Sequence, residues 1–178
     1  MTSVGATLYH MPLSRSTRAL WLWRELERAY VSRESIPPLT VHTFDRTAFR
    51  KQKPWWFLAL NPNGKVPCLV SGDNKLVLWE SGAICAHLLQ SFDTEDLFGP
   101  RGSSERARFW QLAFYCTGTV DNLTATSSPI QRVLGNAGPR WDDEERRRAW
   151  QMVCGPALEE LISQNGGPYA AGVRFGVA

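Results

Sequence analysis

Strand-like and helix-like stretches alternate through the first half of this chain, and beyond Ser104 no strand-like stretch returns. Ala6 to His10 is a short, mostly apolar run ended by Pro12, which predicts a strand. From Ser14 the period changes: Ala19, Leu22, Trp23, Leu26 and Tyr30 recur at three and four residues, an amphipathic helix opening at a serine, a preferred cap residue. Leu39 to Phe44 alternates and is rich in β-formers, so it predicts a second strand after Pro37-Pro38. Residues Arg46 to Leu60 predict an irregular helix interrupted at Pro54, followed by a turn at Asn61-Pro62-Asn63-Gly64. Val66 to Val70 and Leu76 to Leu78 predict two strands joined by a hairpin through Ser71-Gly72-Asp73-Asn74, and Ser81 to Ser91 predicts a helix. The order βαβαββα over residues 1–91 defines an α/β domain with a mixed sheet.

A linker at 92–104 carries Asp93, Glu95, Asp96, Gly99, Pro100 and Gly102, and an all-helical region is predicted over 105–178. There Phe109, Ala113, Cys116, Val120 and Leu123 mark one long helix, and a second runs from Trp141 to Ser163 with a kink at Gly155-Pro156. Its arginines, Arg146-Arg147-Arg148, follow Asp142-Asp143-Glu144-Glu145, so each can meet an acid four residues earlier on one solvated helix. With those charges paired and a net charge of only +3, no electrostatic footprint for nucleic acid remains. An apolar fraction of 43% is ample for packed cores, which argues against disorder. Cys68, Cys85, Cys116 and Cys154 form no C-x-x-C pair, and no histidine stands near a cysteine pair, so no metal site is expected and core thiols in a reducing compartment are. The N-terminus lacks a basic stretch followed by an apolar run, and Trp55 to Leu60 is far too short to span a bilayer. The expectation is a cytoplasmic protein without a membrane partner.

Three short stretches of the first domain fit one purpose, holding a thiol-bearing anionic peptide. In Leu13-Ser14-Arg15-Ser16-Thr17-Arg18, a helix N-terminus presents unpaired N–H groups and a positive dipole end, Ser14 can donate its hydroxyl hydrogen to a thiolate, and Arg15 and Arg18 add positive potential. A free thiol has a pKa of about 8.5, and lowering it by roughly two units needs only about 2.7 kcal/mol of preferential thiolate stabilisation. The plainer alternative is that Ser14 only caps its helix. In Asn61 to Leu69, a cis bond at Val66-Pro67 would turn the Val66 N–H and C=O outward to pair with an extended peptide, with Lys65 facing a carboxylate. The alternative is an ordinary turn before an edge strand, with Lys65 solvated. In Leu78 to Ile84, Ser81 at a helix start suits a carboxylate and Glu80 suits an α-ammonium group; the alternative is a cap by Ser81 beside a solvated Glu80.

Leu8 to Ala19, Asn61 to Leu69 and Trp79 to Ile84, in this order and spacing, resemble the glutathione S-transferase superfamily. The resemblance is strong over the first domain and continues more weakly through Glu105-Arg106-Ala107-Arg108 and Leu158-Glu159-Glu160-Leu161. It implies a thioredoxin-like domain followed by an all-helical C-terminal domain, usually as a homodimer, with glutathione as co-substrate and no other cofactor. It implies that Ser14 is the catalytic hydroxyl of the serine-type classes (theta-, delta-, zeta- and phi-like), activating a thiolate that attacks a small hydrophobic electrophile. By the same resemblance the Val66 backbone pairs with the cysteinyl unit beside a cis Pro67, Glu80 and Ser81 hold the γ-glutamyl head, and Lys65 approaches the glycyl carboxylate. Ser14 and Thr17 stand where redox relatives carry cysteines, and a hydroxyl forms no mixed disulfide. A non-catalytic interaction module of the same fold, or a glutathione-dependent isomerase or dehalogenase, is the alternative.

The chain departs from that pattern at two places. Gly82 stands where several classes carry an arginine. Gly167 to Ala178 resembles the loop before the family's buried core helix, with Gly176 at the expected cap position, so the resemblance implies a C-terminally truncated helical domain. Trp110, Phe114 and Tyr115 are candidates for the electrophile's site, with a core role for at least two of them as the alternative.

Overall fold

The computed structural model describes residues 5–29, 36–92, 100, 102–124 and 142–164. The chain divides into two compact units, Met1–Asp93 and Thr94–Ala178. The first contains β1 (Ala6–His10), α1 (Ser16–Ala29), β2 (Leu39–Thr43), α2 (Arg46–Lys51), α3 (Trp55–Leu60), β3 (Cys68–Ser71), β4 (Val77–Trp79) and α4 (Ser81–Ser91). Its sheet has the order β2-β1-β3-β4, with β1 parallel to β2 and antiparallel to β3, and β3 antiparallel to β4. This is the thioredoxin-like βαβαββα arrangement, with the long crossover through α1 that a parallel β1–β2 pair requires.

Side-chain alternation sends the two faces of the sheet into two cores. Leu8 and Leu69 are buried beneath α1 and α4, whose Ala19, Leu22, Trp23, Leu26, Ile84, Leu88 and Leu89 are also buried. On the opposite face Tyr9, Cys68 and Val70 meet Phe44, Phe49 and Phe57 from β2's end, α2 and α3. Phe57 is fully buried and lies edge-on to Phe44, Phe49 and Tyr9 at centroid distances of 5.1, 5.3 and 5.6 Å. Along α1, hydrogen bonds join Trp21 to Glu25 and Arg24 to Glu27 at the surface, and the indole of the buried Trp23 donates to Glu27.

Several predicted boundaries move, for local reasons. α1 begins at Ser16 rather than Ser14, because Ser14 belongs to a turn in which Leu13 has a positive φ of 55°. β3 begins at Cys68 rather than Val66, because Pro67 has no N–H to enter a ladder. The stretch from Arg46 to Leu60 resolves into two short helices, one capped by the Asp45 carboxylate accepting the Ala48 amide at 2.8 Å, the other opening after Pro54.

The regular elements of the second unit, among its described residues, are all helical: α5 (Ser104–Tyr115), a π-turn (Cys116–Val120), α6 (Asp121–Thr124), α7 (Asp143–Ala149), a second π-turn (Trp150–Cys154) and α8 (Gly155–Ser163). Ser103 caps α5 by accepting the Arg106 amide. Thr117 bonds back to the Ala113 carbonyl at 2.9 Å, competing with the helical ladder where the first π-turn begins. The expected kink at Gly155-Pro156 takes the form of the second π-turn, which widens the helix just ahead of a residue that cannot donate.

The arginine pairing differs from the spacing expected. Asp142 and Glu145 are spent in a reciprocal capping box, so Arg146 pairs with Asp143 and Arg147 with Glu144 at i,i+3, and only Arg148 reaches four residues back, to Glu144. Phe114 is 69% exposed, whereas Trp110 and Tyr115 are half-buried, the Tyr115 hydroxyl lying in the interior. Gly167 to Ala178 and the predicted helix start at Trp141 lie outside the described residues. Among the described residues no helix is long and apolar enough to cross a membrane.

Candidate active site

Strand register gathers the three stretches at one end of the sheet. Tyr9 pairs with Cys68 and Cys68 with Trp79. The chain therefore leaves β1 towards Ser14, enters β3 from Val66-Pro67, and leaves β4 into Glu80-Ser81, all on the same rim and on three adjacent strands.

Ser14 is half-buried in the turn between His10 and α1. Its hydroxyl donates to the Met11 carbonyl at 2.7 Å and its Oγ accepts the Ser16 amide at 3.2 Å. The hydroxyl expected to stand open at the helix mouth thus has its hydrogen engaged within the protein. Ser16, fully buried, sits behind it with Oγ 2.7 Å from Ser14 Oγ and 2.7 Å from His10 Nδ1. Burial lowers the His10 pKa, which keeps the ring neutral near neutral pH. Arg46, from the first turn of α2, donates to the Leu13 carbonyl at 2.8 Å and the Pro12 carbonyl at 3.3 Å, holding the turn that presents Ser14. Leu13, at a positive φ and 88% exposed, projects beside it. Arg15 is exposed, and Arg18 is half-buried close enough for its charge to oppose the rise in the Cys85 thiol.

The Val66-Pro67 bond is cis. Pro67 is buried, Val66 is half-buried, and the Val66 peptide groups stand outside the β3 ladder, whose first pair is at Cys68. Lys65 is exposed. The loop ahead of it is held from inside by Asn61, only 2% exposed, whose amide donates to the Lys65 carbonyl at 2.7 Å and accepts the Asn63 amide at 3.0 Å. Gly64 closes this loop at φ 57°, where a Cβ would meet the Lys53 side chain. Asn61→Ala leaves the Lys65 carbonyl without its donor and is expected to cost about 1–3 kcal/mol. A urea-unfolding midpoint equal to the parent's would show that the amide does not hold the loop.

Ser81 is buried at the first position of α4, and no side chain caps the helix. The first helical bond is Ile84 N–H to Glu80 C=O, so the amides of Ser81, Gly82 and Ala83 precede the ladder at a positive dipole end. Glu80 is exposed and adopts φ 76°, a conformation costly for a side-chain-bearing residue.

His10, Ser16, Arg46 and Asn61 carry no site role that the sequence alone assigns. Ser16 stands two residues from Ser14 and was visible as a hydroxyl, but its burial and its contact with His10 arise from the turn. Cys68 and Cys85 are both pushed up to about 11 by burial, which makes them poor nucleophiles.

The rim thus combines a cis proline ahead of β3, a hydroxyl in the first strand-to-helix turn and a helix start without a side-chain cap; β3 lies between β1 and β4, not at the sheet edge expected. The glutathione S-transferase N-terminal domain family matches residues 14–90. Over 172 residues the chain is 28% identical to Glutathione S-transferase D6 of Drosophila melanogaster, spanning 96% of this chain and 71% of that protein. A glutathione transferase homolog from Lodderomyces elongisporus, solved with two glutathione molecules per subunit, superposes with a TM-score of 0.70 at 21% identity, over 97% of this chain and 78% of its own. A homolog from Sulfitobacter with bound glutathione gives 0.69 at 22% identity, over 98% and 77%. The first unit thus carries the glutathione S-transferase N-terminal domain, and the chain has the glutathione S-transferase fold.

Proposed function

We propose that this protein binds glutathione along the rim described above and stabilises its thiolate at Ser14 for attack on a small hydrophobic electrophile. The observation that carries the reading is the register that puts Ser14, Val66-Pro67 and Glu80-Ser81 on adjacent strands at one end of the sheet. Ser14 donates to the sulfur, Val66 pairs with the cysteinyl backbone, the α4 amides and Ser81 take the γ-glutamyl carboxylate, Glu80 takes its ammonium group, and Lys65 faces the glycyl carboxylate. The bound glutathione of the two solved homologs supports the ligand; the resemblance of the Ser14 stretch supports the serine-type role, and the family resemblance as a whole a homodimer.

The second reading is a module that binds glutathione without conjugating it, favoured by the engagement of the Ser14 hydrogen with the Met11 carbonyl. Retention on immobilised glutathione, measured alongside conjugation to a chloronitrobenzene, separates the two. Retention with turnover supports the transferase, retention without turnover the module, and neither sinks both.

Glu80 supplies a test in which two measurements move in opposite directions. Glu80→Gly releases a strained φ of 76° and is expected to raise stability by about 0.5–1 kcal/mol after the entropy cost of glycine. The same change removes the partner of the ammonium group and should weaken glutathione binding about tenfold. Unchanged affinity in a calorimetric titration would remove Glu80 from the site.

A further inference from the structure

Three contacts of 2.7 Å run in a row behind the reactive rim: His10 Nδ1 to Ser16 Oγ, Ser16 Oγ to Ser14 Oγ, and Ser14 Oγ to the Met11 carbonyl. Each needs one hydrogen, the carbonyl brings none, and each hydroxyl brings one. If His10 Nδ1 is bare, Ser16 must donate to it. The single Ser14 hydrogen would then have to serve both Ser16 Oγ and the Met11 carbonyl, and one close oxygen pair would face each other with only lone pairs between them. If Nδ1 carries a hydrogen, three contacts take three hydrogens: His10 donates to Ser16, Ser16 to Ser14, and Ser14 to Met11. The heavy-atom network therefore assigns the Nδ1–H form. Among groups on neighbouring positions, the Met11 amide also donates to Ser16 Oγ at 3.1 Å, so Ser16 accepts two hydrogens while directing its own.

Resting on the reading of Ser14 as the thiolate's donor, we propose that His10 and Ser16 are positioning residues that free the Ser14 hydrogen for the sulfur. When a thiolate arrives, Ser14 turns its hydrogen from the Met11 carbonyl to the sulfur. Ser16 Oγ lies 3.1 Å from that carbonyl and can turn its own hydrogen there, because His10 and the Met11 amide continue to donate to Ser16. Ser14 Oγ stays anchored by the Ser16 amide. During the exchange the Met11 carbonyl keeps a donor in Ser16, and the Ser14 and Ser16 oxygens, left without a hydrogen between them, separate as Ser14 turns towards the sulfur. With Nδ1 bare, the Ser16 hydrogen is committed to His10, and every outward turn of Ser14 would strip a buried carbonyl of its donor. The tautomer of a ring that touches no ligand thus decides how readily the site ionises a thiol.

The test follows thiolate absorbance of glutathione bound to the full chain as pH is raised, in the parent and in His10→Leu, His10→Asn, Ser16→Ala and Ser14→Ala. Ser16→Ala, which removes the hydrogen that replaces Ser14's at the Met11 carbonyl, should raise the bound thiol's pKa by about one unit, tenfold less thiolate below that range, with glutathione KM changed no more than about threefold. His10→Leu and His10→Asn, neither of which commits the Ser16 hydrogen, should shift it by less than half of that. If Ser16→Ala titrates like the parent while Ser14→Ala is shifted, the relay is overturned and Ser14 keeps its role; if Ser14→Ala also titrates like the parent, the reading of Ser14 falls and the relay with it. Ring-nitrogen chemical shifts of His10 in the unsubstituted protein decide the tautomer without any variant: a protonated Nδ1 supports the row, and a bare Nδ1 refutes it.

Discussion

Ser14→Ala is expected to lower turnover about 100-fold at pH 7 while leaving retention on glutathione within a few-fold. Most of that loss has a simple origin. A thiol of ordinary pKa, about 8.5, is only about 3% ionised at pH 7, whereas one lowered by two units is about three-quarters ionised. Losing the hydroxyl alone therefore removes about 25-fold of the reactive species, and imprecise placement of the sulfur supplies the remainder. The two parts separate with pH. As pH rises through about 8.5, free ionisation replaces what Ser14 provided, so the gap between parent and variant should narrow towards the positioning part. Binding survives because the Val66 peptide, the α4 amides and Glu80 are untouched. Ser14→Ala also deprives the Ser16 amide of its acceptor, so a modest stability loss of about 1 kcal/mol belongs to the expectation and is read separately by urea unfolding. A variant that conjugates as fast as the parent at pH 7 removes Ser14 from the chemistry.

The sheet was legible because its strands obey local rules. β1 and α4 lie within the bounds their patterns predict: Ala6 to His10 stands isolated by Pro12, and Ser81 opens an apolar run that lasts to Ser91. The shifts at α1 and β3 come from groups that compete with regular structure, namely the Ser14 hydroxyl on the Met11 carbonyl and the missing amide of Pro67. The two π-turns had no periodic signature, since one wider turn barely displaces an apolar stripe. The same division holds at the site. Candidates set by backbone or chain position, such as Pro67 and Glu80, could be named from motifs. His10, Ser16 and Arg46 could not, because their contacts exist only once the turn after β1 folds back and α2 closes over it. A hydrogen-bond row spanning seven residues of sequence leaves no spacing of its own.

Phe57→Ala should be the most destabilising single change in the first unit, costing about 3–5 kcal/mol. The ring is fully buried and contacts Tyr9 of β1, Phe44 just after β2, Phe49 of α2 and its own α3 neighbour Trp56. Those neighbours are themselves large and interlocked, so they cannot collapse into the space the ring leaves. Against a typical total of about 5–15 kcal/mol, such a loss threatens folding at physiological temperature. For a domain of this size it should lower the melting midpoint by at least about 12 °C. Trp55→Ala provides the contrast two positions away: its ring is 81% exposed, and its removal should change stability by no more than about 0.5 kcal/mol. Function should follow the core rather than the surface. α3 leads directly into Asn61 and the loop before Pro67, so loosening Phe57 should weaken glutathione retention even though the ring touches no ligand. Equal melting midpoints for the two variants would show that the second face of the sheet is not packed around Phe57.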